Sequence, residues 1–555
     1  MLKPPKENII YRTLDFLHEH IIMVIIAVVI LVSVVSVLVL ALGGGSSSSS
    51  STTTSTSSDT KYKTSSTVYL PLNKLKSLNP LSSNDSDTYY ITQLIYSGLF
   101  KLDKNLNVEG DLADSYSTSA SSGEVTVKLK SAKFSDGSSV TASDVRYTVG
   151  KIKEIGSKSP YYKYASKIDS VSTSGSRSVT IRFKSKYNAA VDNLVFPIVS
   201  SSDYSKGSSY KPMGSGQYKY SSYNKKTYLK LVPNKDYFGD VAKNNIKFKR
   251  IKYSSKTMNF ITTDALTAYV STSSNAKSSA EDKSLKCTQI KSNEMEYLGF
   301  NFKDSRLAQR KVRQAIAYAI NTDSIVSDYY GDAYILSDSI YFPGFLGTKN
   351  NGDPYKYNQS KALGMLKKLG YADSNEDGTL EDNKGKDLTL SLIVNTGNRK
   401  RLDAANEIAA ELTSIGIKTT VNKYSWTSYK SALSKGNYDL VIGGYKFDKE
   451  YNLRDLFDKG NDLNYSNSAV VSDVDKMETS LKSDDLKSLY SNVKSELKDD
   501  LPYYCLCYKK YSFITGQHFS SSESPTFFDR YRGISTWEWK KAVTPDTASD
   551  TYDSN

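Results

Sequence analysis

Residues Ile21 to Leu42 form an unbroken apolar run, IIMVIIAVVILVSVVSVLVLAL, in which two serines are the only polar residues. At 1.5 Å per residue these 22 residues make a helix of about 33 Å, enough to cross a hydrocarbon core of about 30 Å. A secretory apolar segment is usually only about 7–15 residues long. The run therefore reads as one uncleaved transmembrane helix, with cleavage near Ala41-Leu42-Gly43 as the alternative. Lys3, Lys6 and Arg12 precede it, and no Lys or Arg follows before Lys61. That asymmetry puts residues 1–20 in the cytoplasm and everything after residue 42 outside. Residues 43–60 are a Gly, Ser and Thr tract that cannot bury a core and serves as a flexible linker.

The remainder of a 555-residue chain is too long for one hydrophobic core. Its pattern is α/β. Thr67–Leu72 and Glu124–Leu129 alternate as strands, and residues 87–99 read as a short helix. Residues 297–302 form a strand leading into a helix whose apolar face is Val312, Ile316, Ala319 and Ile320. Ala362, Leu363, Leu366 and Leu369 define one helix face before Gly370. Leu388–Val394, a helix over residues 405–415 stopped by Gly416, and Ile417–Val421 make a right-handed βαβ unit.

The net charge is +14. The positive residues are scattered and the topology puts them outside, which favours attraction to an anionic envelope or wall polymer over nucleic acid. The 43 Tyr against 18 Phe and 3 Trp suit wet binding surfaces, although a general Tyr and Ser bias explains them equally.

The order of several motifs resembles the extracellular solute-binding proteins of peptide- and nickel-type ABC importers. Tyr297-Leu-Gly-Phe-Asn-Phe302 leads to Val312-Arg-Gln-Ala-Ile316 and then Ala319-Ile320-Asn321. Leu78-Asn79-Pro80, Tyr96-Ser-Gly-Leu99, Asp111-Leu-Ala-Asp-Ser-Tyr116 and Pro212-Met-Gly-Ser-Gly-Gln-Tyr218 are also similar to family segments. The sharpest match is Phe134-Ser-Asp-Gly-Ser-Ser-Val-Thr-Ala-Ser-Asp-Val145, which sets a turn at Asp136-Gly137 and a helix cap at Thr141 or Ser143. The resemblance runs from Thr67 to Trp539.

It implies a two-lobed periplasmic-binding-protein-like clamp. Lobe I would comprise residues 61–100, 211–295 and 510–545, with an inserted subdomain at 101–210. Lobe II would be residues 296–509, and 546–555 a disordered tail. Implied partners are a peptide or other small solute, the transmembrane subunits of an ABC permease, and the membrane through the N-terminal helix. The protein would be a monomer and bind no nucleic acid. A surface receptor or adhesin with the same fold is the alternative function. The resemblance also implies a ligand site. Asp448, just beyond the strand carrying Gly444 and Tyr445, would hold a peptide ammonium, with Glu450 as the alternative register. Trp426 would pack near the hinge or stack on ligand, and Asn464 and Tyr465 would lie along the cleft.

Catalytic motifs are missing: there is no nucleophile elbow, HExxH or P-loop. Gly214-Ser-Gly216 lacks the lysine of a phosphate loop and reads as a tight turn. The Asp455 and Asp458 pair is of a kind that 59 acidic residues give by chance. No enzyme and no cofactor are expected, and no metal at the ligand site. Cys505 and Cys507, at i and i+2, would share one strand face as buried thiols, and Cys287 stands apart. Asp373-Ser-Asn-Glu-Asp-Gly378 has the oxygen spacing of a calcium loop, but position twelve is Lys384 where a Glu is needed. An ordinary Asx turn is the competing reading.

Overall fold

In the computed structural model, alternating apolar residues build two sheets around a shared core. The structure describes residues 62–542, apart from 84, 120, 186–190, 205–210, 448–452, 458–459 and 478–482. The apolar run, the linker and the tail lie outside the described residues. Among the described residues no helix is long and apolar enough to cross a membrane.

The first sheet orders its strands Thr67–Leu72, Asn245–Arg250, Tyr228–Pro233 and Tyr218–Asn224. The first two run parallel, and Val68, Leu70, Ile246 and Phe248 point inward from them. The second sheet is antiparallel: Ala113–Ser119, Glu124–Leu129, Ser178–Phe183 and Ile168–Ser174. Helix Ala142–Ile155 packs on it. Thr141 is its N-cap, and Asp144 Oδ2 accepts from Thr141 N and Oγ1, both at 2.8 Å. Asp144 Oδ1 accepts from Ser201 N at 2.7 Å, so the sharpest sequence motif works as a staple. Both sheets contribute to one apolar core, to which Ile534 and Trp537 return from the chain's end. There Trp539 Nε1 donates to the Thr67 carbonyl at 2.8 Å.

Gly214 and Gly216 lie against the last turn of helix Ser86–Ile95, where a Cβ on Gly214 would fall 2.0 Å from the Ile95 carbonyl oxygen. The two glycines allow a close backbone approach. They face the negative end of the helix dipole, which repels phosphate.

The third sheet has seven strands and is mixed. Its order is Ala268–Ser271, Tyr503–Thr515, Lys286–Phe300, Leu440–Lys446, Thr389–Asn395 and Lys418–Tyr424, with Tyr334–Ile335 beside Tyr503–Thr515. Thr389–Asn395 is parallel to both Leu440–Lys446 and Lys418–Tyr424, and helix Arg399–Ser414 makes the crossover. That helix, with Arg310–Ala319 and Gln359–Lys368, covers one sheet face. Helices Trp426–Lys435, Ser468–Met477 and Ser483–Asp500 cover the other. Within the Val-Arg-Gln-Ala-Ile motif, Val312 and Ile316 are core residues. Arg313 Nε donates to the Asp500 carbonyl at 2.8 Å and Gln314 Nε2 to that of Asp499 at 2.9 Å. Two carbonyls left over at the end of helix Ser483–Asp500 are thereby satisfied.

Two strands, Lys286–Phe300 and Tyr503–Thr515, pair with each other over most of their length, and each has a break in register. Lys291 faces Lys510 but Met295 faces Tyr508, so the first strand carries extra residues at 292–294. Glu296 faces Cys507 but Tyr297 faces Cys505, so Leu506 is the extra residue on the second. This second bulge corrects the expectation for the thiols. Cys505 packs in the core on one face of the sheet and Cys507 in the core on the other, because one inserted residue reverses the alternation. All three cysteines are free. Leu369 is also corrected. It is 36% exposed, since the helix ends at Lys368 and the chain turns away through Gly370 at φ +89°.

Candidate functional site

In a parallel arrangement the strand carboxyl ends leave a polar rim where loops diverge, the usual place for a ligand in α/β sheets. Here Asn395, Tyr424 and Lys446 end their strands at that rim. The bulge at 292–294 brings the first long strand to the same place. Asn293 O accepts from Phe447 N at 3.0 Å, and Asn293 Nδ2 donates back to the Phe447 carbonyl. Next to it, Glu294 Oε1 accepts from Tyr511 OH at 2.7 Å and Lys446 Nζ at 2.9 Å, and Oε2 accepts from Lys509 Nζ at 3.1 Å. Burial alone would raise the Glu294 carboxyl, but Lys509 and Lys446 outweigh it and hold it below the usual carboxylate value.

Arg530 enters from the chain's last segment. Its guanidinium lies over the Tyr90 ring, 4.4 Å from the centroid. It lines a pocket with Tyr253, Tyr269, Phe513 and Tyr531. Its Nε is buried without a hydrogen-bond partner, and Arg530 has no carboxylate partner among the described residues. Asp87 is near enough to favour this charge but makes no ion pair with it, so the half-buried guanidinium is open to an anion. The segment is tied down around it: Tyr90 OH donates to the Phe527 carbonyl at 2.6 Å and Gln93 Nε2 to that of Phe528 at 3.2 Å. Phe527 in turn meets Phe342 edge-on at 5.8 Å.

The residues expected from sequence are not one constellation. Asp448 and Glu450 lie outside the described residues. Asp448 directly follows Phe447, the residue bonded to Asn293. Tyr445 is half-buried on the rim strand, its ring 4.7 Å from that of Phe447. Gly444 serves a different purpose. A Cβ there would fall 1.7 Å from Arg401 Nη2, so the bare backbone is what lets Arg401 cross the strand to Glu296. Arg401 Nε and Nη2 reach the two Glu296 oxygens at 2.5 and 3.0 Å. Trp426 is 54% exposed, which corrects the packing expectation. It opens its helix just past the end of strand Lys418–Tyr424 and lies on Tyr429 at 5.7 Å, 14° from parallel. A helix start at a strand's carboxyl end projects from the sheet, so its first side chain is left in solvent.

Asn464 and Tyr465 are at the opposite end of the sheet. Tyr465 is buried beside Phe302, and its OH donates to Asp500 Oδ2 at 2.8 Å. The six steps from Glu294 to Phe300 alone span about 20 Å. Asn464 has φ +57° and makes a turn there. Glu294, Lys446, Lys509, Tyr511 and Arg530 were not legible as a group, since they are single polar residues supplied by three strands and the last segment of the chain. The one available signal was Arg530 between Phe527-Phe528 and Tyr531, a cation set in aromatics.

Among known proteins, the family model described as bacterial extracellular solute-binding proteins, family 5 (middle region), matches residues 107–463. The oligopeptide-binding protein AppA of Bacillus subtilis is 28% identical over 466 residues, 78% of this chain and 83% of that protein. The glutathione-binding protein GsiB of Pectobacterium atrosepticum is 25% identical over 384 residues, 66% and 74% of the two chains. Among solved structures, the unliganded open form of the periplasmic murein tripeptide-binding protein MppA superposes with a TM-score of 0.74 at 17% identity, covering 87% of this chain and 99% of that one. Bacillus subtilis AppA holding a nonapeptide gives 0.56 at 22% identity, covering 87% and 100%. The α/β architecture described above is the periplasmic-binding-protein-like fold of these structures.

Proposed function

This chain belongs to the bacterial extracellular solute-binding proteins, family 5, and from that premise we propose that it captures peptides in the cleft at the rim and passes them to an ABC permease. The family is one of solute-binding proteins, not of enzymes. The observation that carries the peptide reading is Arg530, a half-buried guanidinium with no ion-pair partner among the described residues, in a tyrosine-lined pocket. A peptide carboxylate is the right chemistry for it, because planar guanidinium and carboxylate match in pairs. The most similar curated relative described above is named for oligopeptide binding, which agrees. Asp448, or Glu450 in the alternative register, is the proposed receptor for the ammonium. Tyr445 and the exposed Trp426 offer ring faces to the peptide between its ends.

The lobes are assigned as 61–100, 211–295 and 510–545 for the first, with 101–210 inserted, and 296–509 for the second. The register breaks at 292–294 and Leu506 are the proposed hinge, since bulged strands bend where regular ladders resist. The apolar run Ile21–Leu42 supports an uncleaved single-pass anchor with the binding domain outside.

Calorimetry with a free peptide and its C-terminal amide tests the reading. Arg530→Met removes one side of a desolvated pair, worth about 3–5 kcal/mol. Affinity for the free peptide should fall by about two to four decades, and that for the amide should hardly change. Asp448→Asn should discriminate in the same way between free and N-acetylated peptides, with Glu450→Gln as its control. Equal loss for both peptide forms in Arg530→Met would make the arginine structural and remove the support for a peptide terminus.

A further inference from the structure

The turn between helix Gln359–Lys368 and strand Thr389–Asn395 has the spacing of a calcium loop through position six, with Asp373, Asn375, Asp377 and Gly378 in place. The usual acid at position twelve is replaced by Lys384. The fold supplies another. Ala372 and Glu381 exchange main-chain bonds of 3.0 and 2.8 Å, which folds the loop back on itself. Carboxylate oxygens of Asp373, Asp377 and Glu381 then all lie within 4.8 Å of one another. A single cation with oxygens at about 2.3–2.6 Å spans such a separation.

Glu381 is the independent witness. It is only 4% exposed. Its Oε2 accepts from Ser374 N and Oγ, both at 2.7 Å, while Oε1 is buried without a hydrogen-bond partner among the described residues. An orphaned carboxylate oxygen in a buried position is costly unless a cation meets it. Asp373 and Asp377 are exposed, so an ion has free access. Their oxygens already accept main-chain N–H bonds from Asp377, Gly378 and Thr379, which fixes the loop without using every lone pair.

We propose that Asp373, Asp377 and Glu381, with the Asn375 amide oxygen and water, form a Ca²⁺ site. Calcium suits an irregular all-oxygen set better than magnesium, which demands a near-octahedral shell. The loop touches Gly416, whose carbonyl accepts from Leu380 N at 2.9 Å. That is the amino end of strand Lys418–Tyr424, the end away from Trp426 and the rim. The ion would therefore brace this half of the molecule without touching the solute, and the proposal does not depend on the peptide reading.

The test uses the full-length protein stripped with EDTA and titrated with CaCl₂. Isothermal titration should give one site with Kd between about 10⁻⁴ and 10⁻³ M, the range of extracellular calcium modules. Saturating Ca²⁺ should raise Tm by about 2–5 °C. Asp377→Asn and Glu381→Gln should each weaken uptake at least about tenfold. Asp382→Asn, an adjacent acid outside the cluster, should bind as the parent does. Should Glu381→Gln fail to fold, the exposed Asp377→Asn decides alone. No saturable uptake, uptake unchanged in Asp377→Asn, or an equal Tm rise with MgCl₂ would overturn the site.

Discussion

Glu294 and Glu296 stand two residues apart on one strand, and the fold treats them in opposite ways. Glu296 is closed in, 6% exposed at its side chain, and faces one bidentate arginine. Burial is the largest influence and pushes its carboxyl up, with Arg401 pulling against it. Glu294 is 24% exposed and meets two lysines and a tyrosine, and its carboxyl is held down. Strand position alone does not set a carboxylate's electrostatics. The number of cations crossing the strand and the access of water do, and here a bulge and a glycine control both. Glu296 is built for packing and Glu294 for the rim.

Removing Arg401 should break the contrast most severely. Arg401→Met leaves Glu296 buried and uncompensated, a loss of about 3–5 kcal/mol in denaturant unfolding. A loss under about 1 kcal/mol would show that water reaches Glu296 after all. Asp353 sharpens the comparison as a buried acid with no ion-pair partner among the described residues; its oxygens accept from Tyr355 N at 2.8 Å and Tyr504 OH at 2.9 Å. Burial lifts it from 3.8 to about 6. A raised carboxyl stabilises the fold below its unfolded value and loses that contribution as pH rises through the folded one. The term should be complete below pH 3.8 and absent above about 6, a change of about 3 kcal/mol at 1.36 kcal/mol per pH unit. Asp353→Asn should flatten that segment of the stability–pH curve, read as the wild-type-minus-variant difference at several pH values.

Gly444→Ala is expected to cost less, about 1–3 kcal/mol, because Arg401 can swing away from the new methyl group. Its loss should largely vanish in an Arg401→Met background, a double-mutant cycle that isolates the contact. Glu294→Gln should have the smallest effect on stability, below about 1 kcal/mol, since Lys446 is 62% exposed. The sign differs from that of Asp353. A lowered carboxyl contributes above its unfolded value and is lost as pH falls through the folded one, so the variant should be relatively less stable only on the neutral side.

Local chemistry made much of this fold legible. The Asp-Gly turn and Thr141 cap, the Val312 and Ile316 face, and the βαβ unit each follow from neighbours within a few residues, and the structure has them. Long-range register was not legible. One extra residue at Leu506 sends Cys505 and Cys507 to opposite faces, and nothing around it in LPYYCLCYKK announces a bulge. The same limit hid the rim: Glu294, Lys446 and Tyr511 meet only because three strands converge, and Arg530 comes near Tyr511 from the terminal segment. Glu381 was missed because the ligand count followed a standard loop, whereas a bridge to Ala372 shortens this one.

The two long paired strands also govern how the molecule comes apart. Lys286–Lys291 and Lys510–Thr515 sit beside Ala268–Ser271, whereas Glu294–Phe300 and Tyr503–Tyr508 sit among the strands from 389 to 446. Neither end of the ladder can melt while the other stays ordered without tearing a continuous backbone out of a sheet. Heating should therefore give one transition, with calorimetric and van't Hoff enthalpies in agreement, and slow amide exchange in these two strands should be lost only on global unfolding.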